Sequence, residues 1–325
     1  MQPEFEARLE QLTEQFPGKP CLGSASDLHL FHAPNSVCSQ KVRSVLYELN
    51  LPFISHELNL VRGDTYEPEY VLMRLDGCEA AGLPLSTSHG EAGEGSTSVA
   101  LTGCDPCVVP MLIDARKQAI HVDSRNISTL LAKAAPRLYP EAFRSDIERQ
   151  LSVIDDLPNY QLLAVFVTGG KFTGAGDINP WSQSKVDRCD DRLLRHEDDP
   201  RLVRAFSAKR EKEVRATQRL FDGAAVADAE RKMRAAIDNL NRALTPDHRF
   251  LYGDALTLAD LFWAVELIRL IDLGKDSLWN DGENSNVARY VDALCAEPSV
   301  QQAIINWPGA RLSAWPGAAP MAVPV

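Results

Sequence analysis

The sequence predicts a small α/β domain followed by an all-helical domain. Up to about residue 135, short apolar runs typical of strands alternate with helical spacing, in the order β-α-β, insertion, β-β-α. After about residue 140, the patterned stretches have apolar residues three and four positions apart, which is the period of an amphipathic helix. An alternating part followed by a purely helical part indicates two domains in one chain.

The prediction divides the 325 residues into an N-terminal extension (1–27), an α/β domain (28–135) and a helical domain (140–325). A chain of this length has room for two domains. The net charge of −11 argues against general binding to nucleic acid or anionic membranes. No apolar run approaches the ~20 residues of a membrane span, and the acidic N-terminus does not resemble a signal peptide. We therefore expect a cytoplasmic protein.

The extension is expected to contain a short amphipathic helix, because four apolar residues between Phe5 and Phe16 lie on one helical face. The α/β domain then begins with Leu28 and Leu30, which alternate with their neighbours as in a short buried strand. After a break, the apolar residues from Val42 onwards recur with helical spacing. The prediction is therefore a strand followed directly by a helix.

Cys38 lies in the first turn of this predicted helix and is the candidate nucleophile. The unpaired N–H groups and the positive dipole end at a helix start favour an anion. We therefore expect the Cys38 thiol to ionise more readily than a free thiol, as nucleophilic chemistry requires. Ser36 supplies a hydroxyl two residues earlier. The alternative is that Cys38 is an ordinary buried small residue.

Residues 51–58 predict a second strand, so a βαβ unit with parallel strands is expected. From Asp76 to Cys104 the sequence is rich in small and polar residues without periodicity, which predicts an insertion at about 76–105. This insertion is either functional or a tolerated surface loop. We expect His89 within it to be solvated rather than catalytic.

Seven cysteines scattered over a large chain do not indicate the disulfide framework of a small secreted protein. Cys104 and Cys107 have the spacing of a redox motif, but a strand-like run follows them where such a motif needs a helix. No second cysteine pair or pair of histidines completes a zinc site, so no metal is predicted. A redox function of Cys104 and Cys107 stays as an alternative.

Residues 108–113 and 119–122 predict a β-hairpin. Pro110 falls inside the first strand and removes a ladder donor, so we expect it either at an edge or after a cis bond. Asp123 and Ser124 then open a helix. The free N–H groups of this helix could hold the charged end of a small ligand, or the two side chains could simply cap it.

In the helical part, Thr257 and Asp260 form the clearest helix start, a capping box before an apolar run. We also expect a helix that ends at Pro158, a charged helix at about 201–221 and a helix that starts near Asp228. Residues 169–200 are weakly patterned.

The order of these motifs resembles that of the glutathione transferases. The resemblance rests on the helix-start cysteine, the Val109-Pro110 pair, the Asp123-Ser124 helix and the TLAD cap at 257–260. It implies a thioredoxin-like domain followed by a helical domain, with glutathione as cosubstrate. It also implies a cis bond before Pro110. By the same resemblance, Val109 offers its main chain to the cysteinyl part of glutathione, and Asp123 and Ser124 bind the γ-glutamyl part.

Within that family, the segment from Ser36 to Arg43 resembles the glutathione-dependent reductive dehalogenases of chlorinated hydroquinones. The resemblance covers most of the chain and is weakest at about 140–225. It implies that glutathione displaces chloride, that Cys38 attacks the thioether sulfur of the adduct, and that a second glutathione resolves the mixed disulfide. Ser36 would hydrogen-bond to the glutathione thiolate or to a substrate oxygen. A homodimer is also expected, although the insertion could cover the usual interface.

Two other functions are open at this point. A cysteine-type glutathione transferase or thiol transferase acting on aryl ethers, glutathionyl adducts or mixed disulfides would keep Cys38 and change the substrate. A non-catalytic binding module on a transferase scaffold would bind glutathione without turnover, or not at all. The intact set of candidate site residues argues against the binding module.

Overall fold

The computed structural model describes residues 3–89, 99–167, 180–219, 222–280 and 282–312. In these residues a five-stranded mixed sheet with its helices is followed by elements that are all helical. The predicted fold class, an α/β part followed by a helical part, is therefore confirmed. The exact boundaries of the two domains stay predictions.

The sheet confirms both predicted strand pairings and adds one strand. Its members are β1 (Gly18–Cys21), β2 (Leu28–His32), β3 (Phe53–Glu57), β4 (Met111–Asp114) and β5 (Ala119–Val122). Their order across the sheet is β1-β3-β2-β4-β5. Strands β2 and β3 are parallel, and β4 and β5 are antiparallel. Strand β1 pairs with the edge of β3, and its largely exposed sequence GKPC has no apolar alternation that could have predicted it.

Five helices accompany the sheet: α1 (Pro3–Gln15), α2 (Val37–Glu48), α3 (Pro68–Ala80), α4 (Val99–Thr102) and α5 (Ser124–Lys133). Helix α1 confirms the amphipathic pattern, because Leu12 and Phe16 are buried against Tyr70 of α3. Helix α3 continues to Ala80, so the start of the predicted insertion is helical. A side chain at Gly77 would come within 2.7 Å of Val122, so this glycine lets α3 approach β5 closely and does not end the helix.

A disulfide bond joins Cys78, near the end of α3, to Cys104. Cys107 is a free thiol, and burial raises its pKa well above the ordinary value. Cys104 and Cys107 therefore do not form a redox pair. The alternative function that depended on this pair is wrong, because Cys104 is bonded to a cysteine that is distant in the sequence.

The described helical part contains α6 (Arg144–Asp155), α7 (Asn159–Val167), α8 (Pro180–Arg195), α9 (Pro200–Arg219), α10 (Gly223–Ala243), α11 (Leu258–Asp272), α12 (Ser277–Asn280), α13 (Ser285–Cys295) and α14 (Pro298–Val300). Helix α8 lies in the weakly patterned stretch and was not predicted, because it buries few apolar residues among many charged ones. Helix α10 begins at Gly223 and is capped by Asp222, so the predicted start near Asp228 is wrong.

Helix α11 is the centre of the helical core, and all its residues from Leu258 to Leu270 are buried. The predicted capping box at its start is confirmed. The Thr257 main-chain nitrogen and hydroxyl both donate to the Asp260 carboxylate, at 2.8 and 2.6 Å. Helix α2 packs between the sheet and α11, since Val42 lies in the core of the sheet and Val45 in the helical core.

Among the described residues, no helix combines the length and the hydrophobicity that crossing a lipid bilayer requires. The cytoplasmic location stays a prediction.

Candidate active site

Cys38 lies where the sequence predicts it, in the first turn of the helix that follows β2. Helix α2 begins at Val37, and Ser36 is its N-cap. The Ser36 hydroxyl accepts a hydrogen bond from the Ser39 main-chain nitrogen at 3.4 Å. The Cys38 side chain is partly exposed. Ser36 therefore has a capping role that is independent of any ligand, and its catalytic role stays a prediction.

The expectation of an easily ionised thiol is wrong for Cys38. Burial raises the pKa of the Cys38 thiol above the ordinary value. The Lys41 ammonium and a hydrogen bond from the Ser124 hydroxyl act in the opposite direction, while Asp123 and Asp155 add to the rise. The helix start alone does not decide the thiol's ionisation, because desolvation and nearby carboxylates also act on it.

Asp123 and Ser124 begin helix α5 beside Cys38, which brings three of the predicted site residues together. The Ser124 hydroxyl lies near the Cys38 thiol and lowers its pKa. Asp123 is the N-cap of α5, and its carboxylate accepts a hydrogen bond from the Asn126 main-chain nitrogen at 2.9 Å. The capping interpretation is therefore confirmed for Asp123, and ligand binding stays a prediction.

Two properties of Asp123 are unusual for a helix cap. Its φ angle is +74°, a region that non-glycine residues seldom adopt and that often occurs at functional sites. Burial also raises the pKa of its carboxyl group to about 6. Asp123 therefore changes its charge in the range just below neutral pH.

The Val109–Pro110 peptide bond is cis, as the resemblance implied. Pro110 precedes β4, which begins at Met111, so the predicted strand start at residue 108 is wrong and no ladder donor is lost. Neither main-chain group of Val109 has a hydrogen-bond partner among the described residues, which leaves both groups available to a ligand.

Arg74 holds the loop that carries the cis bond and was missed by the sequence reasoning. This buried side chain of α3 donates from Nη1 to the Pro110 carbonyl and from Nε to the Asp105 carbonyl, the latter at 2.9 Å. Its charge also lowers the pKa of Asp123, although burial dominates there. Arg74 thus holds the loop that carries Pro110 and also acts electrostatically on the Asp123 carboxylate.

Helices α2 and α11 contribute a buried ion pair, Lys41 with Glu266, near Cys38. The Lys41 ammonium lies 2.9 Å from Glu266 and 3.9 Å from Asp155, and both Lys41 and Glu266 are 0% exposed. Although burial opposes it, these two carboxylates raise the pKa of Lys41, which therefore stays charged. The signal for Glu266 was present in the sequence, because a charged residue in an apolar helix that is buried on all sides needs a partner.

A second buried polar cluster lies where α9 contacts the loop before Val109. Lys209 pairs with Asp105 and with Glu213, both at 2.8 Å. His89 lies 3.6 Å from Glu213 and stacks on Tyr160 at 4.7 Å between ring centroids. The expectation of a solvated His89 is wrong, because its side chain is only 10% exposed and burial lowers its pKa to about 4.

Residues 223–293 match the model of the glutathione S-transferase C-terminal domain. The 2,5-dichlorohydroquinone reductive dechlorinase of Sphingobium indicum is 35% identical to this chain over 300 residues, which is 86% of this chain and 83% of that protein. The chain belongs to the glutathione transferase family. This confirms the family that the motifs resemble and places the protein among glutathione-dependent enzymes.

Solved structures of the family share the fold of this transferase. The beta-etherase LigF from Sphingobium sp. strain SYK-6 superposes with a TM-score of 0.56 at 15% identity, covering 85% of this chain and 98% of that chain. Glutathione transferase F7 from Populus trichocarpa gives a TM-score of 0.52 at 15% identity, covering 85% of this chain and 97% of that chain. The thioredoxin-like domain followed by a helical domain is thereby confirmed.

Proposed function

We propose that this transferase is a glutathione-dependent reductive dehalogenase of chlorinated hydroquinones. The observation that carries the proposal is the 35% identity with the dechlorinase over 83% of that protein's length. The packing of α2 against α5 supports it, since it brings Ser124, a predicted glutathione-binding residue, near the predicted nucleophile Cys38. The homodimer stays a prediction.

The predicted binding residues fit the parts of glutathione. The free main-chain groups of Val109 pair with the cysteinyl amide and carbonyl. The start of α5 receives the γ-glutamyl group, with the Asp123 carboxylate opposite its ammonium and the Ser124 hydroxyl and free N–H groups opposite its carboxylate. A ligand held between Val109 and Ser124 has its thiol near Cys38, because Ser124 lies near that residue.

The proposed reaction has three steps. First, the glutathione thiolate bonds to a chlorinated ring carbon of the tautomerised hydroquinone, and chloride leaves. Second, the Cys38 sulfur attacks the thioether sulfur, so a Cys38–glutathione disulfide forms, the ring carbon–sulfur bond breaks and the ring carbon takes a proton. Third, a second glutathione thiolate attacks the mixed disulfide, which releases glutathione disulfide and regenerates Cys38. Two glutathione molecules are oxidised, and one chlorine is replaced by hydrogen.

The raised pKa of Cys38 is compatible with the second step. A thiol that keeps its proton until the adduct is bound brings both the sulfur nucleophile and the proton that the ring carbon gains. In the proposed site Ser36 hydrogen-bonds to the glutathione thiolate or to a ring oxygen during this exchange.

The proposal is tested by anaerobic incubation of the purified protein with glutathione and 2,5-dichlorohydroquinone. We expect chloride and glutathione disulfide to appear together, one of each for every ring carbon reduced. Omission of glutathione is the control and should stop both products. If neither product forms above the enzyme-free rate, the dehalogenase proposal is wrong, and aryl ethers and glutathionyl adducts become the substrates to test.

The affinity for glutathione is expected to fall as the pH falls from 7.5 to 5. The Asp123 pKa of about 6 means that this carboxyl group is mostly ionised at pH 7.5 and mostly protonated at pH 5. Only the ionised form pairs with the glutathione ammonium, so Kd should rise by up to about tenfold over this range. Asp123→Asn should bind weakly at pH 7.5 and lose most of the pH dependence. Isothermal titration calorimetry measures both effects.

The matched control for this variant is Asp222→Asn. Asp222 caps α10 as Asp123 caps α5, accepting a hydrogen bond from the Ala224 main-chain nitrogen at 2.7 Å. Asparagine caps helices about as well as aspartate, so both variants should fold. The same pH dependence in wild type and Asp123→Asn would show that Asp123 does not bind the ammonium.

A further inference from the structure

Arg269 is a buried cation without a carboxylate partner. It lies near the end of α11 and is 3% exposed. Among the described residues no carboxylate lies within ion-pair distance of its guanidinium, and its Nε atom is buried without a hydrogen-bond partner. A buried charge in this state is costly, so its presence calls for an explanation.

The position of Arg269 connects it to the nucleophile. Its Nη2 atom donates a hydrogen bond to the carbonyl of Asn35, in the short loop between β2 and α2. That loop ends at Ser36, the cap of the helix on which Cys38 lies. Burial lowers the pKa of Arg269, while the charges of Asp272, Glu266 and Cys38, in that order, raise it. A helix of the helical part thus reaches the active-site loop.

Arg43 of α2 provides an internal comparison, because it is a second buried arginine that donates to a carbonyl of the same loop. Its Nε donates to the Ala303 carbonyl at 3.0 Å and its Nη2 to the Pro34 carbonyl at 2.8 Å. Its Nη1 lies 3.0 Å from Nδ1 of His32, and the guanidinium stacks over Trp307. Every nitrogen of Arg43 therefore has a partner, so packing explains this residue. Packing does not explain Arg269 in the same way, because its Nε atom is buried without a hydrogen-bond partner.

Lys41, another cation near Cys38, lowers the pKa of the thiol and has two carboxylate neighbours of its own. Its ammonium pairs with Glu266 and lies near Asp155, and both acids are buried with it. Among the described residues, Arg269 differs from Lys41 in having no carboxylate within ion-pair distance, and from Arg43 in having a buried nitrogen without a partner.

We propose that Arg269 is a positioning residue for Cys38. Its guanidinium holds the loop before Cys38 by a hydrogen bond to the Asn35 carbonyl, and it serves as the counter-cation of the Cys38 thiolate. The inference rests on the proposed role of Cys38 as nucleophile and adds to it a residue from the helical domain. In the second step of the reaction the charge of Arg269 favours the developing thiolate. In the third step it favours Cys38 as the leaving group from the mixed disulfide.

Several elements contribute charges that face the Cys38 thiol. Lys41 on α2, Asp123 before α5 and Asp155 on α6 act on the thiol directly. Arg269 on α11 interacts with Cys38, and also with Asp272 and Glu266 of its own helix. Asp123 and Asp155 disfavour the thiolate, and the two bases, Lys41 and Arg269, favour it. Removal of one base from this balance should therefore make the thiol harder to ionise.

The test is the pH dependence of Cys38 alkylation by iodoacetamide, followed by mass spectrometry of the peptide that contains Cys38. The rate follows the thiolate fraction, so a rise of one unit in the thiol pKa lowers the rate about tenfold at pH values below it. We expect Arg269→Met to be alkylated about tenfold or more slowly at pH 7.5, with the midpoint of the profile shifted upwards. Arg269→Lys keeps the charge and should restore most of the rate.

Arg289→Met is the matched control, because Arg289 also donates to two main-chain carbonyls, those of His248 and Thr245, at 2.7 and 2.8 Å. Its alkylation profile should equal that of wild type. If Arg269→Met does not fold, Arg269→Gln replaces it, since glutamine keeps a donor for Asn35 without the charge. An unchanged profile in the folded neutral variant, or equal shifts in the neutral and lysine variants, would overturn the inference.

The alkylation assay needs neither glutathione nor a chlorinated ring. A shifted profile without any chloride release from wild type would remove the proposed function and leave the role of Arg269 intact. Chloride release by wild type together with an unshifted alkylation profile of the Arg269 variant would leave the proposed function intact and remove the role of Arg269.

Discussion

Cys38→Ser is expected to stop the reaction after its first half. The variant should still release chloride, because the first step uses the thiolate of glutathione and the binding residues on α5 are unchanged. It should form no glutathione disulfide and should accumulate the glutathionyl-hydroquinone, because serine cannot form a mixed disulfide. We expect the rate of glutathione disulfide formation to fall on the order of 10³-fold or more, as for removal of a covalent nucleophile. Chloride, disulfide and adduct are measured in one anaerobic time course.

Cys295→Ser is the control for this experiment, since Cys295 is also a free, partly exposed cysteine but lies at the end of α13. It should retain both products at the wild-type rate. Normal disulfide formation by Cys38→Ser would contradict the proposed mechanism. Loss of chloride release as well would assign Cys38 to the first step.

Asp260→Ala is expected to cause the largest loss of stability of any single substitution considered for this protein. The Asp260 carboxylate is fully buried and accepts hydrogen bonds from the Thr257 main-chain nitrogen and hydroxyl, from the Leu251 main-chain nitrogen and from the Tyr290 hydroxyl. Alanine leaves these donors buried without an acceptor, and each unsatisfied group costs about 1–3 kcal/mol. We expect the free energy of unfolding to fall by about 3–5 kcal/mol in urea titrations followed by circular dichroism.

The control for stability is Asp228→Ala on α10. The Asp228 side chain is 42% exposed, and in the described part of the chain its ion pairs are with Arg231 and Lys232 on the same helix. Such surface pairs contribute little, so the change should stay within about 0.5 kcal/mol. A loss of less than 1 kcal/mol in Asp260→Ala would show that the buried donors find other acceptors.

Local signals predicted the elements on which the candidate site is built. Apolar spacing after a strand predicted helix α2 and the position of Cys38 in its first turn. Side chains that cap helices predicted the starts of α5 at Asp123 and of α11 at Thr257. These features depend on residues a few positions apart, so they are visible in one sequence.

Features that depend on distant residues were not predicted. The ionisation of Cys38 is set by burial and by residues from several helices, and Asp155 of α6 follows Cys38 by more than 100 residues in the sequence. Strand β1 is defined by its partner β3, and the burial of His89 depends on Glu213 of α9. The pairing of Cys104 with Cys78 depends on how α3 returns to the sheet. In each case the cause is tertiary contact, which no local pattern encodes.

The bond between Cys78 and Cys104 makes the backbone between these residues part of a covalent ring. A protease that cuts the chain once inside this ring opens the ring without dividing the molecule. The fragment that carries Cys38 stays attached to the fragment that carries Val109 and Ser124, so a nicked protein runs as one species on a denaturing gel without reductant. With reductant it separates into two polypeptides, and gel mobility alone then reports the state of this bond.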